Sequence, residues 1–246
     1  MTAILRPTLA GAAAEDVHHQ ARIDLAAAFR WFARLDMHES IANHMSVAVD
    51  GSRFLINPCR LHFSRVTAGS LLLLDAHDPT TLDQPDAPDP TAWYLHARLH
   101  ARLPQARCIM HLHSKYATAL ACLADSTMPP IDMNTARFFG RVAIDDGFAG
   151  MALSDEEGDR QAALMIEGKT VLLMANHGVL VIGPTVADAF DELYYFERAA
   201  ETLLTCYAAG RPLRVMPDEV ARLTEQQWCG YGRFAADHLD NVKAIL

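Results

Sequence analysis

Long apolar runs are missing from this chain: no segment approaches the roughly 18 to 20 apolar residues that a membrane-crossing helix needs. Cysteine is sparse as well. Cys59, Cys108, Cys122, Cys206 and Cys229 make an odd set, widely spaced and without a C-x-x-C pair, which reads as free thiols in a reducing compartment. Positive charge is in deficit, with 21 Lys and Arg against 30 Asp and Glu and a formal net charge of −9. Nucleic-acid binding is disfavoured, because it needs a basic stripe to displace counterions. A small-molecule site stays open, since one bound metal ion can dominate the local field. A secretory leader is not evident: Met1 to Ala14 is Ala-rich but interrupted by Arg6 and Pro7. Residues 1–14 are expected to be a flexible lead-in, and the compartment expected is the cytoplasm. There is no internal repeat and no low-complexity tract, so residues 15–246 read as a single domain. With 51% hydrophobic and 21% charged residues, the composition is that of an ordinary globular fold.

What is present alternates between helical and strand patterns. An amphipathic helix is expected from Glu15 to Met37, with Ile23, Ala27, Phe29, Trp31, Phe32 and Leu35 on its apolar face. Short strands follow at Met45 to Val49 and Phe54 to Ile56, joined near Asp50-Gly51 by a connection longer than two residues. Leu71 to Leu74 reads as a strand, and the proline- and aspartate-rich stretch from Asp75 to Pro90 as a surface loop. Further helices are expected at Trp93 to Leu103, Lys115 to Ala124, Ser154 to Ile166, Val186 to Ala209 and Gly232 to Leu246. Ser154 and Glu157 have capping-box spacing. Strands are expected at Cys108 to Leu112, Thr170 to Met174 and Val179 to Ile182. The result is a mixed α/β domain.

Histidines carry the chemistry. His111 and His113 end a strand, and alternation turns both to one face with Leu112 opposite. Two imidazoles at that spacing can share a metal ion. His177, in a tight Asn-His-Gly turn between apolar strands, is the candidate third ligand. Three ligands and an open position are the pattern of catalytic zinc-type sites. In a chain with twelve histidines a His-x-His also arises by chance, so spacing alone leaves ligation open. His96 and His100, four apart on a helix, suit hydrogen bonds that orient the strand histidines, or a place on the helix surface, better than metal ligation.

The run HARLHARLPQARCIMHLHSKYATALACL, from His96 to Leu123, resembles the metal-binding segment of the class II aldolase/adducin family. AlaAsnHisMetSer at 42–46 and FLINP at 54–58 resemble that family's two N-terminal substrate loops. MANHGVLVIG, Met174 to Gly183, resembles the segment with the third histidine, and the long helix with Glu197 follows it. The resemblance spans most of residues 17 to 210 in order. It implies a three-layer α/β/α domain with a largely antiparallel central sheet and His111, His113 and His177 as ligands. It further implies a homo-oligomer, a tetramer with sites between neighbours, and a divalent metal, zinc favoured over manganese or another ion.

Departures from the family pattern narrow the chemistry. The sugar-phosphate aldolases carry an acidic acid/base residue where this chain has Ala92, which cannot transfer a proton. Asp89 and Asp86 are nearby substitutes. The phosphate loops correspond to Asn43-His44-Met45-Ser46, Asn57-Pro58-Cys59-Arg60 and Pro90-Thr91, so only Ser46 and Thr91 keep hydroxyls. Arg60 stands for a glycine and suits a carboxylate as well as a phosphate. Downstream, the aldolase tyrosine falls near Asp146 and the epimerase acid near Ala136. Asn43, His44, Ser46 and Arg60 are therefore the expected substrate-binding set. His44 is the preferred proton donor, with a hairpin-capping role the alternative; Lys115 and His100 are the other donor candidates, and solvent exposure is the alternative for Lys115. The expected activity is a metal-dependent carbon–carbon lyase, aldolase- or decarboxylase-type, for a small hydroxy-carbonyl or hydroxy-carboxylate without phosphate. A sugar-phosphate aldolase with a displaced acid/base is the alternative, and a non-catalytic adducin-like interaction domain a third.

Overall fold

A computed structural model describes residues 10–166 and 168–246, with side chains from residue 18 onward. Seven strands form one sheet in the order β3-β2-β1-β4-β7-β6-β5. They are β1 (His44–Asp50), β2 (Arg53–Ile56), β3 (Leu72–Asp75), β4 (Cys108–Leu112), β5 (Val142–Asp145), β6 (Val171–Met174) and β7 (Gly178–Gly183). Every neighbouring pair is antiparallel except β5 with β6. The helices are α1 (Ala10–Arg34), α2 (Pro90–Arg102), α3 (Lys115–Ala121), α4 (Met133–Arg137), α5 (Asp155–Leu164), α6 (Val186–Ala208), α7 (Asp218–Cys229) and α8 (Phe234–Ile245). Among the described residues no helix is long and apolar enough to cross a membrane.

Strand alternation sorts the side chains into two cores. Cys108, Met110 and Leu112 of β4 and Val179 and Val181 of β7 join the core beneath α1, α3 and α6. Ile109, Leu180 and Ile182 point the other way, into the core beneath α2 and α5. Helices on both faces make the three-layer α/β/α sandwich. Phe29, Phe32, Phe190 and Phe196 are fully buried, Phe32 of α1 packing on Phe190 of α6, Phe29 on Phe63 and Phe196 on Phe138, each adding about 2–3 kcal/mol of gross hydrophobic stabilisation. On the other face α2 and α5 cross closely at Gly158. A Cβ there would lie 2.3 Å from the Tyr94 carbonyl oxygen, so only glycine fits.

Several local expectations change. Helix α1 starts at Ala10, earlier than the expected Glu15, and residues 1–9 of the expected lead-in lie outside the described residues. The β1–β2 link is a two-residue turn, with Asp50 paired to Arg53 and Gly51 at φ +46°. Asp89 caps α2 by accepting from the Thr91 amide, which moves the helix start back to Pro90. Ser154 occupies the N-cap of α5 but makes no side-chain cap bond. Glu157 instead pairs with Arg160. The short elements β5 and α4, and the amphipathic α7, had no counterpart in the periodicity reading.

Candidate metal centre and its cavity

His111 is the last but one residue of β4, and His113 follows its end. His177 sits in the turn from β6 to β7, and β7 is the neighbour of β4. One potential ligand atom from each of the three lies within 4.8 Å of the others. The His111 and His113 Nε2 atoms are 3.1 Å apart. Two nitrogens bound about 2.0–2.1 Å from a tetrahedral zinc stand roughly 3.3 Å apart, so the donor set fits a divalent cation. Burial pushes the pKa of all three rings down, that of His177 to about 4. They are neutral at physiological pH, as ligation requires.

The frame around the triad is specified residue by residue. His111 Nδ1 donates to the Val179 carbonyl at 3.0 Å, which leaves Nε2 as the atom that could ligate a metal. Asn176 takes φ +57°, a left-handed conformation that asparagine tolerates, and so turns the chain to present His177. Gly178 admits the β4 backbone: a Cβ there would be 2.6 Å from the Leu112 carbonyl and 2.9 Å from His113 Cδ2. Buried Glu197 of α6 locks the start of α3. It accepts from Ser114 Oγ at 2.6 Å, Tyr116 N at 2.8 Å and Ala117 N at 2.8 Å. A carboxylate at a helix N-terminus is favoured by the dipole as well as by the hydrogen bonds.

The triad opens on a cavity of about 310 Å³. Its polar wall includes His44, Asp89, Thr91 and Gln161, and its apolar wall Leu95, Phe148, Met151 and Met174. No Lys or Arg is among its described lining residues. The Asp89 carboxyl is the one acid there. Burial raises its pKa, but hydrogen bonds from Thr91 and nearby His44 outweigh that and hold it below the usual range, so it is ionised. Gln161 is buried, donates to Glu157, and keeps Oε1 unpartnered among the described residues. Residues 146–153 form one lip of the cavity. Asp145 anchors that lip through Arg160 and the Gly147 amide, and the Phe148 ring lies 5.9 Å from the His177 ring.

His44 pairs with His111 across β1 and β4, and their ring centroids are 4.9 Å apart. Its Nδ1 lies 2.8 Å from His96 Nε2. Burial lowers the His44 pKa to about 3 and the His100 pKa to about 4, and places that of His96 well below the ordinary value.

The expected residues are therefore brought together only in part. His111, His113, His177 and His44 share one cavity. Buried Ser46 and His96 and half-buried His100 stand behind it. His96 bonds His44 and Ser46, and His100 bonds Ser46 and the Ala106 carbonyl, so neither lies on an open helix surface and neither bonds His111, His113 or His177 directly. Asn43 is buried but does not line the cavity. Its Oδ1 accepts from Glu39 N at 2.6 Å and from His113 N at 3.4 Å, so it ties the chain preceding β1 to the His113 backbone. Arg60 is exposed at φ +59° and lies outside this chain's cavity lining. So does Lys115, which is exposed with its ammonium over the Tyr116 ring. Ala92 packs with Phe54 and Ile56, away from the cavity. The cavity residues not anticipated are Gln161, Leu95, Phe148, Met151 and Met174. None carried a local signal, because each reads as an ordinary helix, strand or loop residue.

A family model for the Class II Aldolase and Adducin N-terminal domain matches residues 23–204. The chain belongs to the class II aldolase/adducin family. Decarboxylase NovR of Streptomyces niveus is 30% identical over 205 residues, which cover 82% of this chain and 75% of that protein. A 4-hydroxy-3-prenylphenylpyruvate oxygenase/4-hydroxy-3-prenylbenzoate synthase of Streptomyces roseochromogenus is also 30% identical over 205 residues, 82% of this chain and 73% of that one. The crystal structure of an aldolase II superfamily protein from Pseudomonas syringae superposes with a TM-score of 0.82 at 30% identity, covering 92% of this chain and 91% of that one.

Proposed function

We propose that this chain is a metal-dependent carbon–carbon lyase of the decarboxylase type, acting on a small, non-phosphorylated hydroxy- or oxo-acid with an aromatic or other apolar body. The observation that carries this reading is the cavity lining: four histidines and one ionised carboxylate with Thr91 and Gln161 on the polar side, apolar side chains over the rest, and no Lys or Arg among the described lining residues. His111, His113 and His177 would hold the ion, zinc by preference, which when bound stabilises negative charge developing on substrate oxygen. Charge balance then selects the substrate. A divalent ion, Asp89 and one substrate carboxylate sum to neutrality. A phosphate ester brings close to two negative charges at neutral pH and leaves the enclosed site net negative. Leu95, Phe148, Met151 and Met174 suit a ring or branched chain, and the names of the two Streptomyces relatives point to decarboxylation and to an aryl oxo-acid. The volume lies at the small end of the roughly 300–1,000 Å³ span of ligand sites. Placement in the cytoplasm and assembly as a tetramer belong to the same proposal.

The second reading, a sugar-phosphate aldolase with a displaced acid/base, draws on one fact: Asp89 does supply a carboxylate to the cavity. An adducin-like role without catalysis has less support, because it requires neither a converging triad nor a cavity over it. Metal analysis of wild type and His111→Ala tests the centre; about one equivalent in wild type and loss in the variant is expected. Metal-loaded protein is then incubated with arylpyruvates and aryl hydroxy-acids, with and without dioxygen, and with sugar phosphates. Carbon dioxide release from the acids without dioxygen supports the proposal. Retro-aldol cleavage of a sugar phosphate, or release that needs dioxygen, overturns it.

A further inference from the structure

One file of hydrogen bonds leaves the metal cavity and ends beside a different one. It starts at His44, runs 2.8 Å to His96, 2.5 Å from His96 Nδ1 to Ser46 Oγ, and 2.7 Å from Ser46 Oγ to His100 Nε2. His100 Nδ1 then meets the Ala106 carbonyl at 2.9 Å. His100 also lines a second cavity, of about 210 Å³, with Ser52, Arg53 and His77. The rings come from β1 and α2, so the file crosses the seam where that helix lies on the sheet.

The donor and acceptor roles along this file follow from its last member. A carbonyl only accepts, so neutral His100 carries its proton on Nδ1 and presents a lone pair at Nε2. Ser46 must therefore donate to His100 and accept from His96 Nδ1–H. Neutral His96 then has a lone pair at Nε2, which accepts from His44 Nδ1–H. His44 is left with an unprotonated Nε2, which has no partner among the described residues, on a ring that lines the metal cavity. In this register His44 faces the cavity as a proton acceptor, where the sequence had suggested a donor.

We propose that His44, His96, Ser46 and His100 form a proton relay that takes a hydroxyl proton from the substrate at His44 Nε2 and holds it at His100, beside the second cavity. The role assigned to the substrate rests on the lyase reading above; the relay geometry does not. In the outward hop the substrate O–H bond breaks, its electron pair stays on oxygen, and an N–H bond forms at His44 Nε2. The His44 Nδ1 proton passes to His96 Nε2, the His96 Nδ1 proton to Ser46 Oγ, and the Ser46 proton to His100 Nε2. The positive charge ends on His100, three hydrogen bonds from His44, instead of against the His111 ring in a centre built for a cation. Reversing the hops returns the proton to the carbon that kept the electron pair of the broken C–C bond. When carbon dioxide is the leaving part, the stored proton goes to the carbon, and one solvent proton, admitted at His100 through the second cavity, returns by the same hops to the substrate oxygen, so each turnover consumes one solvent proton. No oxidant or reductant is involved.

The test begins with imidazole nitrogen shifts in isotopically labelled, zinc-loaded protein. His44, His96 and His100 are expected as neutral Nδ1–H tautomers, the minor form of free histidine; an Nε2–H tautomer at His96 overturns the relay. The second step uses His100→Gln, whose amide can donate to the Ala106 carbonyl and accept from Ser46 but cannot store a proton. Zinc content and the His44 and His96 tautomers should persist. Exchange of the His96 ring proton with water should slow about tenfold or more, and kcat should fall about 100-fold with KM nearly unchanged. Unslowed exchange, or wild-type kcat, refutes the relay. Should His100→Gln lose zinc, Ser46→Ala breaks the file at its middle and is read by the same measurements. A wild type that turns over no hydroxy- or oxo-acid sinks the lyase reading alone, because tautomers and exchange still decide the relay.

Discussion

Replacing Glu197 by glutamine isolates what one buried carboxylate contributes to the metal turn. The two oxygens of Glu197 serve different donors: Oε2 takes Ser114 Oγ and Ala117 N, and Oε1 takes Tyr116 N. Glutamine retains an oxygen on one side only, so its amide N–H₂ must face a donor on the other. Orphaning one buried N–H costs about 1–3 kcal/mol, and losing charge assistance on the two surviving bonds costs about 0.5–1 kcal/mol each. The expected loss is about 3 kcal/mol, a fall in Tm of about 6–12 °C for a chain of this size. Ser114 follows His113 directly, so loosening the start of α3 also loosens one proposed ligand, and zinc affinity should drop about 10- to 100-fold. Thermal denaturation of chelator-treated protein gives the first quantity, and competition with a chromogenic zinc chelator the second. Ser114→Ala, which removes one hydroxyl, should cost only about 1 kcal/mol. A Tm within 2 °C of wild type would refute the strength assigned to the cap. A lowered Tm with unchanged zinc affinity would refute the coupling of cap to ligand.

Two further outcomes follow from the same geometry. In metal-free protein, buried His44 and His96 have pKa values depressed by burial, His44 to about 3. The unfolded chain therefore binds protons first as pH falls through about 6.5, and stability present in full above that value is lost toward acid. At pH 5 His44 should cost about 2 kcal/mol relative to pH 7.5, and His96 acts in the same direction. That window lies above the ordinary carboxylate range, so urea midpoints that do not change across it contradict the assignment. Gly178→Ala should destabilise by about 1–3 kcal/mol through overpacking against the Leu112 carbonyl and His113. It should also weaken zinc binding, because β4 and the His177 turn must separate, and equilibrium unfolding with chelator competition measures both.

Much of the fold was legible because it depends on local periodicity. The buried strands β4, β6 and β7, the helices α2, α5 and α6, and the direction of His111 and His113 all follow from apolar spacing and strand alternation. Gly178 and Asn176 declared a tight turn by residue type. Less regular elements were missed for a physical reason. β5 is four residues of a sheet edge, α4 is a single capped turn, and α7 buries only Ala221 of its twelve residues. Each takes its stability from neighbours more than from its own pattern.

Within the candidate site the division is sharper. Residue type and spacing by themselves determined that two histidines would face one way at the end of a strand and that Ala92 could not move a proton. The i, i+4 pair His96 and His100 was visible too, but not whom it would serve. The tight Asn-His-Gly turn made His177 the candidate third ligand, and the resemblance to a family added to that assignment. Physically they meet because β7 lies beside β4, a non-local pairing that no window of sequence encodes. Docking of α2 on β1 turned a pair of helix histidines into a file ending at Ala106. The N-cap at Asp89 carried a loop acid into the cavity, and α5 delivered Gln161. Tertiary structure alone decided these, because hydrogen-bond partners and shared cavities depend on how elements separated by tens of residues pack together.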